Sequence, residues 1–100
     1  MIEVRYIDGD IKTIELSGHS GYDERDKDIV CAAASSISIT SFKAIEKFIN
    51  KSDYKIIEKD GYLKVTINSN SKEILLLIEN LLETLQELES QYPKYIKIYK

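Results

Sequence analysis

The segment Tyr54-Lys55-Ile56-Ile57-Glu58-Lys59-Asp60-Gly61-Tyr62-Leu63-Lys64-Val65-Thr66-Ile67 decides the fold class. From Tyr62 to Ile67 the apolar residues Leu63, Val65 and Ile67 alternate with others, which is the two-residue period of a half-buried strand. Asp60-Gly61 is a turn signal between that run and Tyr54 to Lys59, so the segment reads as a β-hairpin. Helical periodicity lies on both sides of it. Downstream, Ile74, Leu77, Ile78, Leu81, Leu82, Leu85 and Leu88 predict a helix from Lys72 to Gln91, with Asn70 or Ser71 as N-cap and Glu73 placed to close a capping box. These leucines cover fewer than three heptads, which favours a core helix over a coiled coil.

Upstream, a helix is predicted from about Ile29 to Asn50. Turning about 100° per residue puts Val30, Ala33, Ala34, Ile37, Ala44, Ile45 and Phe48 in one sector, expected to cover the sheet. Cys31, Ser35, Ile39, Phe42 and Ile49 fall in a second sector, which needs another partner, either the other helix or a second subunit. Farther upstream, Ile2, Val4 and Tyr6 alternate with polar residues, and Ile14 and Leu16 repeat the pattern after Asp8-Gly9-Asp10, where Gly9 is expected to supply a positive φ. Tyr95 to Lys100 reads as a short last strand after Pro93. The order is strand, strand, helix, strand, strand, helix, strand. This is an α+β two-layer sandwich, a mixed or antiparallel sheet packed by two helices, with residues 1–100 as a single domain.

One hundred residues with 43% hydrophobic and 31% charged side chains suit one core and one small site, with no room for a separate cofactor domain. No cofactor is expected. The net charge of -3 argues against a surface that seeks phosphate. The start Met1-Ile2-Glu3-Val4-Arg5 lacks the apolar core of a signal peptide, and the longest apolar run, Ile74 to Ile78, is too short to span a bilayer, so a cytoplasmic protein without a membrane partner is expected. Cys31 and His19 are the only cysteine and histidine. A disulfide within the chain and a zinc site of four Cys/His ligands are therefore excluded.

These two residues flank the longest polar join, Gly18-His19-Ser20-Gly21-Tyr22-Asp23-Glu24-Arg25-Asp26-Lys27-Asp28-Ile29-Val30-Cys31. Asp28 stands where an N-cap belongs, which puts Cys31 in the first helical turn. There the free amides and the helix dipole favour the nucleophilic thiolate, and the same amides can receive an oxyanion. His19 ends a strand of the sheet that this helix covers, so the fold can return it to the helix start. A thiol beside an imidazole is the minimal cysteine-hydrolase pair. Gly18 leaves space for a substrate backbone beside His19. Taken singly, each residue has a plainer reading: Cys31 as a small packed residue, His19 as an exposed strand end, Asp28 as a cap only, Ser35 as a hydrogen-bonding residue one turn after Cys31, and the charged run as a solvated loop.

Taken together, Gly18-His19-Ser20-Gly21 and Asp28-Ile29-Val30-Cys31-Ala32-Ala33-Ala34-Ser35 resemble the signature of the ribosomal-processing cysteine protease (Prp) family. The resemblance extends over essentially the whole chain, through the Gly61 hairpin, the leucine-rich helix and Tyr92-Pro93. It implies a cysteine endopeptidase that removes the N-terminal extension of the large-subunit ribosomal protein numbered twenty-seven. It further implies His19 as catalytic base, Cys31 as nucleophile, and Asp28 and Ser35 as supporting residues. The segment of Gly18, Ser20, Gly21 and Tyr22 would be a mobile loop ordering around substrate, and the protein a homodimer. The family's glycine two places before the aspartate is Asp26 here, which removes a flexible backbone choice from that loop.

Three rival readings remain. Gly18-His19-Ser20-Gly21 fits the GXXG loop of KH domains, and seven tyrosines offer stacking surfaces, but Asp23-Glu24 would repel phosphate. A structural partner protein would keep Cys31 buried and inert. A metal site on Cys31, His19 and a carboxylate would need a dimer interface to complete it. An acidic protease, by contrast, attracts a basic ribosomal precursor.

Overall fold

Both hairpins form, and they join edge to edge. In the computed structural model, which describes residues 1–24 and 27–100, the strands are β1 (Ile2–Ile7), β2 (Lys12–Ser17), β3 (Tyr54–Lys59), β4 (Tyr62–Ile67) and β5 (Ile96–Tyr99). They make one sheet in the order β3-β4-β2-β1-β5. The β1–β5 pairing is parallel and the other three are antiparallel, so the α+β sheet is mixed. Helix α1 (Ile29–Glu46) joins the two hairpins, and α2 (Lys72–Gln91) leads to β5. Asp26 lies outside the described residues.

Register decides which face is apolar. Leu16 pairs with Val4 and Leu63, and Ile14 pairs with Tyr6 and Val65, so the alternating apolar residues share one side. That side packs on Val30, Ala34, Phe42 and Ile45 of α1 and on six buried residues of α2, namely Ile74, Ile78, Leu81, Leu82, Leu85 and Leu88. Each such Leu or Ile contributes roughly 1.5–3 kcal/mol over an exposed position, so α2 is the main anchor of the sheet. The opposite side carries the row Arg5, Glu15, Lys64 across three strands, which suits it to water.

Five local expectations are corrected. The buried stripe of α1 is Val30, Ala34, Ser38, Phe42 and Ile45. It lies between the two expected sectors because α1 sits in the angle between the sheet and α2. Phe42 is therefore 2% exposed and Phe48 57%. The helix stops at Glu46, where Lys47 and Phe48 donate to the carbonyls of Ala44 and Ile45 three residues back and tighten the end. Gly9 does not take a positive φ; Asp8 shapes the turn instead, its carboxylate accepting the Gly9 amide at 3.1 Å. Ser71 caps α2 through the Ile74 amide at 3.3 Å, but Glu73 is one position too early for a capping box, and the Ser71 amide donates to Ser69 Oγ at 3.2 Å. Strand β5 is shorter than Tyr95 to Lys100, with the Tyr95 carbonyl accepting the Ile2 amide at 2.9 Å.

Helix α1 has the length and mean hydropathy, 1.3 over 18 residues, of a membrane-crossing helix; Val30, Ala34, Phe42 and Ile45 enter the core with the sheet and α2, while Ile29 and Ile39 stay exposed. Among the buried polar groups, Lys12 is clamped: its Nζ donates to the Gly9 carbonyl at 3.0 Å and to Asn70 Oδ1 at 2.6 Å, tying the β1–β2 turn to the start of α2. Ser38 Oγ is buried with no hydrogen-bond partner. Opposite stability effects are expected in urea denaturation. Ser38→Ala should hold or raise stability by up to about 1 kcal/mol, whereas Asn70→Ala, which takes one acceptor from a buried ammonium and leaves it the Gly9 carbonyl, should cost about 1–3 kcal/mol.

Candidate active site

The start of α1 is organised by one carboxylate. Asp28 has φ -77° and ψ 98°, outside the helical region, and its Oδ1 accepts the amides of Val30 at 3.1 Å and Cys31 at 3.0 Å. Its Oδ2 accepts the Ser20 hydroxyl, and Ser20 Oγ accepts the Tyr22 amide at 3.2 Å. Ser20 is 3% exposed and Asp28 6%. Burial pushes the Asp28 carboxyl up, but hydrogen bonds from the Ser20 hydroxyl, the Cys31 amide and thiol and the Tyr22 amide outweigh it and leave the group below the usual carboxylate range. Two first-turn amides are thus committed to Asp28 and are not open to an oxyanion, which narrows the expectation drawn from the helix start.

Cys31 is half-buried, and its Sγ accepts the Ser20 amide at 3.3 Å. His19 comes from the other side. Beyond β2 the Gly18 amide donates to the Gly61 carbonyl at 2.8 Å, which carries the β2–β4 pairing one step past the strand. The imidazole then lies over Gly61, where an added Cβ would stand 2.9 Å from Nε2. Gly61 also has φ +70°, so the turn favours glycine, and a Cβ there would push the exposed His19 ring aside. At Gly18, φ +92°, the close approach is made by the chain's own Met1 carbonyl, 2.5 Å from where a Cβ would be.

Between these groups opens a cavity of about 520 Å³. His19, Cys31, Asp28, Ser35, Gly18 and Gly21 all line it, together with the outer residues Ala32 and Ile39 of α1. Its far wall is the hairpin tip from Glu58 to Leu63. That wall was not foreseen: Asp60-Gly61 reads locally as a turn and nothing more, and only the Ser17–Tyr62 pairing reveals what it faces. Ser20 sits behind the thiol. The Tyr22 ring turns away, packing edge-on against Tyr92 and Tyr95 with centroids 5.5 and 5.1 Å apart. Among the described residues, no group of three or more His, Cys, Asp or Glu side chains is gathered to hold a metal. A thiol and an imidazole opening on one cavity are the parts of a nucleophile and its base.

A family model described as cysteine protease Prp matches residues 1–97. The chain belongs to the Prp family of cysteine proteases. The ribosomal processing cysteine protease Prp of Staphylococcus aureus strain Mu50 is 27% identical over 93 residues, 91% of this chain and 88% of that protein. Among solved structures, Staphylococcus aureus Prp with a covalently linked product peptide superposes with a TM-score of 0.88 at 28% identity, covering 99% of this chain and 98% of the other. The same protease with a substrate peptide gives 0.82 at 28% identity over all of both chains. SMU.848 from Streptococcus mutans gives 0.74 at 28% identity, over 99% of this chain and 92% of the other.

Two substitutions test this construction of the Prp site. Asp28→Ala removes a helix cap and should cost about 1–2 kcal/mol in denaturant unfolding at neutral pH. Because the folded-state pKa of Asp28 is depressed, its stabilisation is complete above the ordinary carboxylate pKa and is lost as pH falls through the folded value, so the variant and the parent should converge in stability in acid. Gly61→Ala forces an L-residue into the left-handed region at roughly 1–2 kcal/mol and pushes the ring off its seat, which a shift of the His19 imidazole resonances should report.

Proposed function

We propose that this Prp-family protease removes the N-terminal extension of the large-subunit ribosomal protein numbered twenty-seven, with Cys31 as nucleophile and His19 as general base and acid. The observation that carries the reading is that the chain's only thiol and only imidazole open on the same cavity. His19 turns off Gly61 toward Sγ and takes the thiol proton, and the thiolate attacks the scissile carbonyl. The tetrahedral intermediate collapses as the imidazolium protonates the departing amine, leaving a thioester on Cys31. His19 then deprotonates a water that attacks the thioester, releasing the extension with a new carboxylate and restoring the thiol. Asp28 fixes the first turn that carries Cys31, and Ser35, one turn on, lines the same cavity where it meets the peptide. Gly21, with φ +72°, gives the Ser20–Tyr22 stretch its bend.

The substrate assignment is supported by the ribosomal-processing role carried in the name of the Staphylococcus aureus relative and by the peptides bound in its structures. The acidic balance of the chain favours a basic precursor over nucleic acid. The exposed apolar residues Ile29 and Phe48, at and just beyond the ends of α1 and outside the cavity lining, favour a homodimer. The reading also takes residues 1–100 as one domain at work in the cytoplasm, where ribosomal precursors are made.

Intact-mass measurement of the extended precursor after incubation with the purified protein is the direct test. The parent chain should shorten the precursor at its N-terminus. Cys31→Ala should abolish cleavage and His19→Ala should lower turnover by at least about a hundredfold, both with the melting temperature kept. Cleavage by Cys31→Ala at the parental rate would overturn the assignment.

A further inference from the structure

The sulfur of Cys31 has two polar neighbours of opposite character. The Ser20 amide donates to it at 3.3 Å, while the buried Asp28 carboxylate, which accepts the amide of Cys31 itself at 3.0 Å, brings a negative charge close by. A buried carboxylate beside a nucleophilic sulfur is a competitor unless its lone pairs are occupied elsewhere. Here they are: Oδ1 takes two backbone amides and Oδ2 takes the Ser20 hydroxyl. We propose that Ser20 is the positioning residue of the protease's thiol, its hydroxyl drawing the Asp28 carboxylate off Cys31 while its own amide holds the sulfur.

Ser20 can do both because its segment is fastened at each end. Before it, Gly18 is bonded to Gly61 and backed by the Met1 carbonyl. After it, the Tyr22 amide returns to Ser20 Oγ and the Tyr22 ring is held edge-on by Tyr92 and Tyr95. The serine is left one seat, with its hydroxyl toward the carboxylate and its amide toward the sulfur. Among the described residues, the other charged or titratable groups lining the cavity are His19, Asp23, Glu58, Lys59, Asp60 and Tyr62, whereas the Ser20 hydroxyl bonds to the Asp28 carboxylate and the Tyr22 amide.

The inference rests on Cys31 being the nucleophile, so the test reads the thiol directly and without substrate. Alkylation of Cys31 by iodoacetamide is followed by intact mass across a pH series, with thermal melting as the check on folding. Ser20→Ala should move the rate curve up by about one pH unit, which is about tenfold slower alkylation at neutral pH, with the same plateau at high pH. In the Asp28→Asn background no competing anion remains, so Ser20→Ala there should leave the curve where Asp28→Asn alone puts it. That comparison also stands if the single variant fails to fold around an unpaired carboxylate. A Ser20→Ala curve superimposed on the parent's, or a shift of equal size in both backgrounds, would overturn the proposal. Failure of the nucleophile assignment shows elsewhere, as cleavage by Cys31→Ala.

Discussion

Asp28 is a charged side chain taken almost wholly out of water, and such a group is tolerated only when its oxygens are supplied with donors. Meeting that demand shapes everything near it. Two donors come from the helix that Asp28 itself starts, so α1 begins there and not a residue sooner or later. The remaining donor must come from outside the helix, and the chain provides it by folding Ser20 back over the helix start. A carboxylate that needs hydrogen bonds thereby ties Ser20, just past the end of β2, to a helix start eight residues farther along the chain. Cys31 inherits its position from that arrangement, as its amide is one of the donors.

The opposite wall obeys a steric rule. Pairing of Ser17 with Tyr62 brings the end of β2 and the start of β4 side by side, and one step on, Gly18 meets Gly61. Any side chain at position 61 would occupy the space of the imidazole. The turn glycine therefore serves its own φ and also leaves room for the His19 ring above it. In this Prp chain the hairpin tip forms the far side of the cleft.

Much of this was legible in the residues, and the parts that were not share a cause. Strands β3 and β4 and helix α2 were readable to the residue because alternation and the leucine stripe are strong local signals. The cap at Asp28 was readable for the same reason, as capping is decided within one helical turn. The buried stripe of α1 was not. Periodicity finds apolar faces but not the angle at which sheet and α2 meet, and that angle selected Phe42 and buried Ser38 while leaving Phe48 in water. Nothing near Ser20 in the chain distinguishes a loop serine from one that donates to a buried carboxylate. The same holds for Gly61, whose second duty depends on a strand pairing between residues 17 and 62.

Topology explains why all of these groups lie at one end of the sheet. Strand β2 ends there at Ser17, and its antiparallel neighbour β4 begins there at Tyr62. The opposite β1 also begins there, since Glu3 pairs with Ser17, and β5 enters alongside it with Ile96 beside Ile2. Four strand termini and the first turn of α1 therefore converge on one region, and each contributes something different. The first residue of the chain backs Gly18, the β3–β4 tip carries the floor of His19, the link before β5 supplies Tyr92 and Tyr95 to hold Tyr22, and α1 presents Cys31. Residues at strand ends are released from ladder pairing yet stay tied to a rigid sheet, which is the combination a site needs when its thiol and imidazole arrive from separate elements. After β2, Ser20 meets both partners, the carboxylate through its hydroxyl and the sulfur through its amide.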